Sequence, residues 1–243
     1  MRLSIHSQIR ANIVKTYLIM AGFMGFVVVV AYVLGVALGY GEGLLPVAIL
    51  FAGASAFGSY FWGDKMVLAM SGARPADRTR DFDFYTVTEN LCIAAGLPKP
   101  KLYVIDDTAM NAFATGRDPQ HAVVCATTGI LSRLERRELE GVIAHELSHI
   151  KNFDIRLMAV VAVLVGTVAF LADMFLRVLW RSSGRRRRGG EVMLVVGIAL
   201  AIITPLIATV IQLAISRRRE FLADATGANL TRYPEGLARA LEK

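Results

Sequence analysis

The sequence has little charge for its length. Of its 243 residues, 19% are charged and 55% are hydrophobic, whereas soluble domains carry about 25% charged residues. Intrinsic disorder requires low hydrophobicity and is excluded for most of the chain. A wholly soluble globule is disfavoured as well, because soluble monomers rarely expose large apolar surfaces. We therefore expect part of the chain to lie in lipid.

Cysteine is nearly absent, and its spacing forms no motif. The two cysteines, Cys92 and Cys125, make no C-x-x-C pair, which excludes the common thiol redox and thiolate–zinc motifs. They are interpreted as ordinary free thiols in a reducing compartment. A cleaved signal peptide is also disfavoured, since the first apolar run is too long for one and no A-x-A site follows it.

Two long uncharged runs lie near the start of the chain. Residues 16–40 and 43–63 contain 25 and 21 residues without a charge, and about 20 suffice to cross a bilayer. With Glu42 in the short connection, residues 1–63 are predicted to form a transmembrane hairpin. Lysine and arginine flank its outer ends only, so the positive-inside rule places both ends in the cytoplasm. The net charge of +7 is then mainly a topology signal, and nucleic acid is not an expected partner.

Residues 64–156 are predicted to form the first part of a soluble domain. The pattern predicts a helix at 85–95, strands at 101–106 and 121–126, and an extended segment at 111–115. Ser132 and Glu135 match the S-x-x-E capping box, and apolar residues follow at helical spacing. A further helix is therefore predicted to begin at Ser132.

That helix contains an H-E-x-x-H motif formed by His145, Glu146 and His149. Residues i and i+4 share a helix face, so the two imidazoles can bind one Zn²⁺. Glu146 falls in the apolar stripe, where a carboxylate needs a partner, and it can act on water without ligating the metal. A chance match is the alternative. A metzincin would have glycine and histidine at Asn152 and Ile155, so that class is excluded.

A catalytic zinc site requires a third protein ligand. The remaining histidines, His6 and His121, are candidates, and Glu220 is another. Glu220 and Asp224 share a helix face, so Glu220 can ligate while Asp224 accepts an imidazole N–H. Alternatively, these acids only balance the three arginines at 217–219. Together with the H-E-x-x-H motif, the pair is interpreted as part of the site.

Four motifs resemble those of one family and occur in the same order: Asn111-Ala-Phe-Ala-Thr-Gly116, Thr128-Gly-Ile-Leu131, His145-Glu-Leu-Ser-His149 and Arg219-Glu-Phe-Leu-Ala-Asp224. Over essentially its whole length the chain is similar to the HtpX-type membrane zinc metalloproteases, relatives of the CAAX prenyl endopeptidases. The resemblance implies an α-helical membrane protein with an α+β zincin-like (gluzincin) cytoplasmic metalloprotease domain. Its small β-sheet would have an edge strand beside the H-E-x-x-H helix.

The resemblance also implies residue roles. His145, His149 and Glu220 would bind one Zn²⁺ per chain, and Glu146 would be the general base. Asn111 and Ala112 would belong to the edge strand that holds an extended substrate.

The implied protein is a multi-pass metalloendopeptidase of the bacterial inner or plasma membrane, with its active site facing the cytoplasm. Its expected substrates are peptides or misfolded or damaged membrane proteins, in membrane-protein quality control and the stress response. Members of the family continue past the position of Lys243 and carry a transition-state histidine and arginine there. We therefore expect 216–243, the second part of the protease domain, to be truncated, with Tyr233 as the local oxyanion candidate.

Residues 157–215 are predicted to form a hydrophobic hairpin with segments at 157–176 and 192–215. Because Glu220 must meet the histidines, an even number of membrane crossings separates them: both segments span, or neither does. Family resemblance favours two spans. The basic linker around Arg185–Arg188 opposes it, because two spans would place these arginines outside the cytoplasm.

Two other functions are compatible with parts of the sequence. A non-enzymatic membrane scaffold would bind anionic lipid through its basic loops; it needs neither the H-E-x-x-H motif nor zinc. A metal-dependent enzyme other than a protease would keep the motif but not cleave peptide bonds. The sequence specifies neither the cleavage preference nor the oligomeric state.

Overall fold

A computed structural model describes residues 5–37, 41–182 and 217–243. In chain order the helices are α1 Ile5–Ala37, α2 Leu45–Met70, α3 Phe82–Ala95, α4 Thr128–Arg133, α5 Arg136–Lys151, α6 Asp154–Ser182, α7 Arg217–Thr231 and α8 Pro234–Glu242. The strands are β1 Arg74–Pro75, β2 Lys101–Ile105, β3 Ala112–Gly116 and β4 Ala122–Thr127. The predicted segment 192–215 and the arginine cluster at 185–188 lie outside the described residues.

Two of the described helices are long and apolar enough to cross a membrane. The qualifying stretches are Arg10–Val30 in α1 and Leu45–Met70 in α2, close to the runs predicted at 16–40 and 43–63. Both helices expose large apolar side chains, among them Leu18 at 65% and Leu50 at 75%. Apolar surface of this extent suits lipid rather than water, and together with the two candidate spans it makes the chain a membrane protein.

Helix α6 packs against both of these helices. Phe23 of α1, Ala52 of α2 and Leu157, Val160 and Leu164 of α6 belong to one buried cluster. The segment predicted at 157–176 lies within α6. Helices α5 and α6 meet at a bend of 85°, and Arg136–Lys151 and Asp154–Ala169, taken together, are also long and apolar enough to cross a membrane. The described residues thus contain two candidate spans, or three if this pair counts as one.

A four-stranded mixed sheet lies beside the helices, in the order β1-β2-β4-β3. Strand β2 is parallel to β4, while β1 and β3 are antiparallel to their neighbours. The strands predicted at 101–106 and 121–126 and the extended segment at 111–115 are confirmed to within one residue. Strand β3 forms an edge of the sheet and lies next to α5, which agrees with the expected arrangement.

The start of the H-E-x-x-H helix was wrongly predicted. Ser132 lies in the short helix α4, and its hydroxyl donates to the carbonyl of Gly129 at 3.1 Å, so it caps nothing. Helix α5 begins only at Arg136. Its capping interaction is one turn later than predicted, because the Glu138 carboxylate accepts the Glu135 N–H at 2.8 Å.

The C-terminal helices α7 and α8 both pack on α5. A Cβ at Gly227 of α7 would lie 3.1 Å from the backbone nitrogen of His145. A Cβ at Gly141 of α5 would lie 2.8 Å from Cα of Leu237 in α8. These close approaches join the end of the chain to the helix that carries the H-E-x-x-H motif. They also show that the space beside Gly141 is filled by α8.

Candidate metal centre and active site

Three donor atoms from two helices converge on one point. Nε2 of His145 and Nε2 of His149 lie 3.1 Å apart. The Oε2 atom of Glu220 lies 3.5 Å from the first and 3.6 Å from the second. All three ligand atoms fall within 4.8 Å of one another. Two imidazoles and one carboxylate are a donor set typical of catalytic zinc, so the residues present fit this metal.

Each imidazole is held at its Nδ1 atom by a carboxylate. Nδ1 of His145 lies 2.8 Å from Oδ1 of Asp224, and Nδ1 of His149 lies 3.0 Å from Oδ2 of Asp154. A carboxylate on Nδ1 holds the proton there and leaves Nε2 free to bind a metal. The Asp224 contact is the one predicted. Asp154 was missed, because it reaches His149 only through the bend between α5 and α6.

The surroundings move the two histidine pKa values in opposite directions. Burial lowers the pKa of His145, and the neighbouring His149 lowers it further. Burial also acts to lower the pKa of His149, but the hydrogen bond with Asp154 and the nearby carboxylates outweigh it, so the pKa is raised. The neutral imidazole, which is the metal-binding form, is therefore favoured at His145.

Glu146 lies beside this cluster and faces β3. Burial raises the pKa of Glu146 to about 7, against the lowering effects of His149 and of a hydrogen bond with the Ala114 backbone. A carboxyl group with a pKa near neutrality can both accept and return a proton. The structure thus places Glu146 beside the three candidate ligands and not among them.

Strand β3 presents part of its backbone away from the sheet. The carbonyl of Asn111 accepts the N–H of Thr127 in β4 at 2.9 Å, so the backbone of Asn111 faces inward. Because hydrogen-bonding direction alternates along an antiparallel pair, the backbones of Ala112 and Ala114 face outward. Of the two residues expected to hold substrate, Ala112 therefore has the suitable orientation.

The other candidates lie elsewhere. The His121 ring contacts Asp118 through Nδ1 at 2.7 Å and Arg117 through Nε2 at 3.0 Å. The guanidinium carbon of Arg137 lies over the Tyr233 ring, 5.5 Å from the ring centroid. Arg137 precedes His145 by about two helical turns, so Tyr233 lies well away from the three ligands. His6 belongs to α1, and its side chain is outside the described part of the structure.

Comparison with known proteins defines the class. The sequence model of peptidase family M48 matches residues 79–243, and the chain belongs to this family. A protein named protease HtpX homolog from Caldanaerobacter subterraneus subsp. tengcongensis is 45% identical over 239 residues, covering 96% of this chain and 80% of that protein.

Two further proteins of the same name agree with this assignment. The one from Tropheryma whipplei is 43% identical, covering 98% of this chain and 81% of its own length. The one from Streptococcus pneumoniae is 40% identical, covering 97% and 82%. Within the M48 family the chain is thus an HtpX-type protease, as the motifs predicted.

Proposed function

We propose that this chain is a zinc-dependent endopeptidase with His145, His149 and Glu220 as the metal ligands. The convergence of these three donors, with the Nδ1 atom of each imidazole held by an aspartate, is the observation that carries the proposal. A site of this composition on an H-E-x-x-H helix, beside an edge strand, also supports a zincin-like (gluzincin) domain assembled from 64–156 and 216–243.

The side chains divide the chemistry of peptide hydrolysis among them. Bound zinc supplies Lewis acidity towards water and the scissile carbonyl. Glu146 takes the proton from the attacking water and returns it to the leaving amine. The outward backbone of Ala112 pairs with an extended substrate, which brings one peptide bond to the ligands by β-augmentation.

The active site is proposed to face the cytoplasm, close to the bilayer surface. The distribution of lysine and arginine around the first hairpin supports this orientation. Asp154, which holds His149, is the first residue of α6, and α6 packs against both candidate spans. A site so close to membrane helices suits misfolded or damaged membrane proteins as substrates. We propose quality control in the inner or plasma membrane as the role.

The test compares zinc content and casein cleavage of the full chain with those of its variants. Glu146→Gln is expected to retain one zinc per chain and to lose about 10²–10⁴-fold in cleavage rate, because it removes the base and spares the ligands. His145→Ala and His149→Ala are expected to lose both zinc and activity. Glu140→Gln, on the exposed side of the same helix, is the matched control and should behave like wild type.

Three results would contradict the proposal. If the Glu146→Gln variant is active, Glu146 is not the general base. Full zinc occupancy in either histidine variant shows that the ligand set is wrong. A wild-type chain that neither binds zinc nor cleaves peptides, but binds anionic vesicles, favours the lipid-binding scaffold instead.

A further inference from the structure

A buried amide lies near the N-terminal end of the first candidate span. Asn12 of α1 is 4% exposed and lies within the stretch Arg10–Val30. Burying an amide without partners is unfavourable, and Asn12 has two. Its Nδ2 donates to Oδ1 of Asp154 at 2.6 Å and to the carbonyl of Asn152 at 3.1 Å.

These two hydrogen bonds straddle the corner between α5 and α6. Asn152 ends the H-E-x-x-H helix, and Asp154 begins the next one. Phe153 between them has φ +59°, a conformation that bulky side chains rarely adopt. A corner of this kind persists only where its surroundings hold it. The amide of Asn12 binds one group on each side of it.

The carboxylate of Asp154 uses its two oxygens differently. Oδ2 faces Nδ1 of His149 at 3.0 Å. Oδ1 accepts the Asn12 amide and lies 3.6 Å from Nε of Arg219. Asp154 is 1% exposed and His149 6%, so water has little access to replace a lost partner. The Asn12 contact therefore helps to determine which way Oδ2 points.

We propose that Asn12 is a positioning residue for the metal centre. By holding Asp154 it fixes the imidazole of His149, which makes the first membrane helix a structural part of the metal site. The inference rests on the proposed function only in taking His149 as a ligand.

The test uses the full chain in lipid nanodiscs, with two readouts: the zinc dissociation constant from chelator competition, and the absorption spectrum of the Co²⁺-substituted protein. The variants are Asn12→Leu, Asp154→Asn and the two combined. Thr16→Val is the matched control. Thr16 is buried one turn further along α1, and its hydroxyl bonds only to the carbonyl of Asn12 among the contacts described.

Asn12→Leu is expected to weaken zinc binding about 10-fold or more and to shift the Co²⁺ spectrum, as losses around metal ligands commonly do. Thr16→Val should change neither. In the Asp154→Asn background the Asn12 substitution should add little, because its effect passes through Asp154. Asn12→Ala introduces no bulk and provides the same comparison if leucine prevents folding.

Unchanged zinc affinity in both Asn12 variants would overturn the inference. So would an equal loss in Thr16→Val, or full additivity with Asp154→Asn. These results leave the proposed function intact as long as the wild type binds zinc and cleaves. A wild type that binds no zinc overturns both.

Discussion

At the scale of residues, the candidate metal site contains two histidines that are each held by an acid from another helix. His145 is paired with Asp224 of α7, and His149 with Asp154 of α6. The two pairs differ in exposure, since the Asp224 side chain is 45% exposed and Asp154 is buried. Imidazoles that are already held in place lose little conformational entropy when a metal binds. The aspartates therefore pre-organise the two histidines for metal binding.

The cysteines give a prediction at the same scale. Burial raises the pKa of Cys92 to about 11 and that of Cys125 to about 12. At pH 8 their thiolate fractions are then about 10⁻³ and 10⁻⁴, against roughly a quarter for an ordinary thiol. We expect no rapid reaction with a thiol reagent in the folded chain and reaction of both thiols in denaturant.

Mass spectrometry can count the modified thiols after reaction at pH 8, with and without guanidinium. The two counts compare thiol reactivity in the folded and the denatured chain. Prompt labelling of either cysteine in the folded chain would show that its thiol is exposed or its pKa is lower than the burial implies.

Residue spacing along the helices allowed part of the candidate site to be predicted, but it gave no indication of Asp154. The pairing of His145 with His149 follows from helical periodicity, and the contact of Asp224 with His145 follows from its separation from Glu220. The contacts of Asp154 depend on a bend of 85° after α5. That bend arises from tertiary packing and a left-handed residue at Phe153, neither of which has a periodic signature.

At the scale of elements, the H-E-x-x-H helix is enclosed by α7 and α8 through close backbone contacts. Gly141 packs against Leu237, where a Cβ would collide with the backbone nitrogen. Backbone atoms cannot rotate away as a flexible side chain can. The crossing of α5 and α8 therefore requires a residue without a side chain at this position.

Gly141→Ala is accordingly expected to destabilise the chain by about 1–3 kcal/mol, although alanine favours a helix by about 1 kcal/mol over glycine. Gly166→Ala in α6 is the control, because the nearest atom to its Cβ would be the terminal Met70 carbon at 3.9 Å. Thermal unfolding in detergent compares the two. A stability equal to or above wild type in Gly141→Ala would show that α8 does not pack so closely.

The prediction of elements from sequence succeeded where pattern and environment agreed. Strands β2 and β4 are short apolar runs bounded by turns, and both are present. The error at the start of α5 arose because Ser132 and Glu135 match the capping box in sequence, whereas the Ser132 hydroxyl donates to the carbonyl of Gly129 within α4. The interaction that is made joins Glu138 to the N–H of Glu135 and lacks the serine or threonine of that pattern.

At the scale of the whole molecule, the M48 peptidase region, residues 79–243, contains a hydrophobic stretch at 157–215. Helix α7 returns to α5 after the stretch 157–215, as the need to bring Glu220 to the histidines predicted. The number of crossings within that stretch stays a prediction, since residues 183–216 lie outside the described ranges.

Cysteine labelling in intact cells with an impermeant reagent tests the topology. Cys92 and Cys125 are buried and should give no background. Glu42→Cys, in the connection between the first two spans, is expected to react from outside. Asp106→Cys, at a side chain that is 68% exposed, should react only after the cells are opened.

Ser183→Cys distinguishes the two arrangements of the later hydrophobic segments. Reaction from outside means that both segments span, whereas protection means that the basic linker stays in the cytoplasm. Outside labelling of Asp106→Cys would contradict the proposed orientation of the active site.

The division of the site across the chain has a consequence for biosynthesis. His145 and His149 leave the ribosome well before Glu220, with α6 between them. On the proposed ligand set, a nascent chain offers only two imidazoles until Glu220 emerges, and two ligands bind zinc far more weakly than three. The proposed site is therefore completed only after the preceding helices, including α6, have been synthesised. Nascent chains that stop short of Glu220 are expected to bind zinc weakly and to lack protease activity.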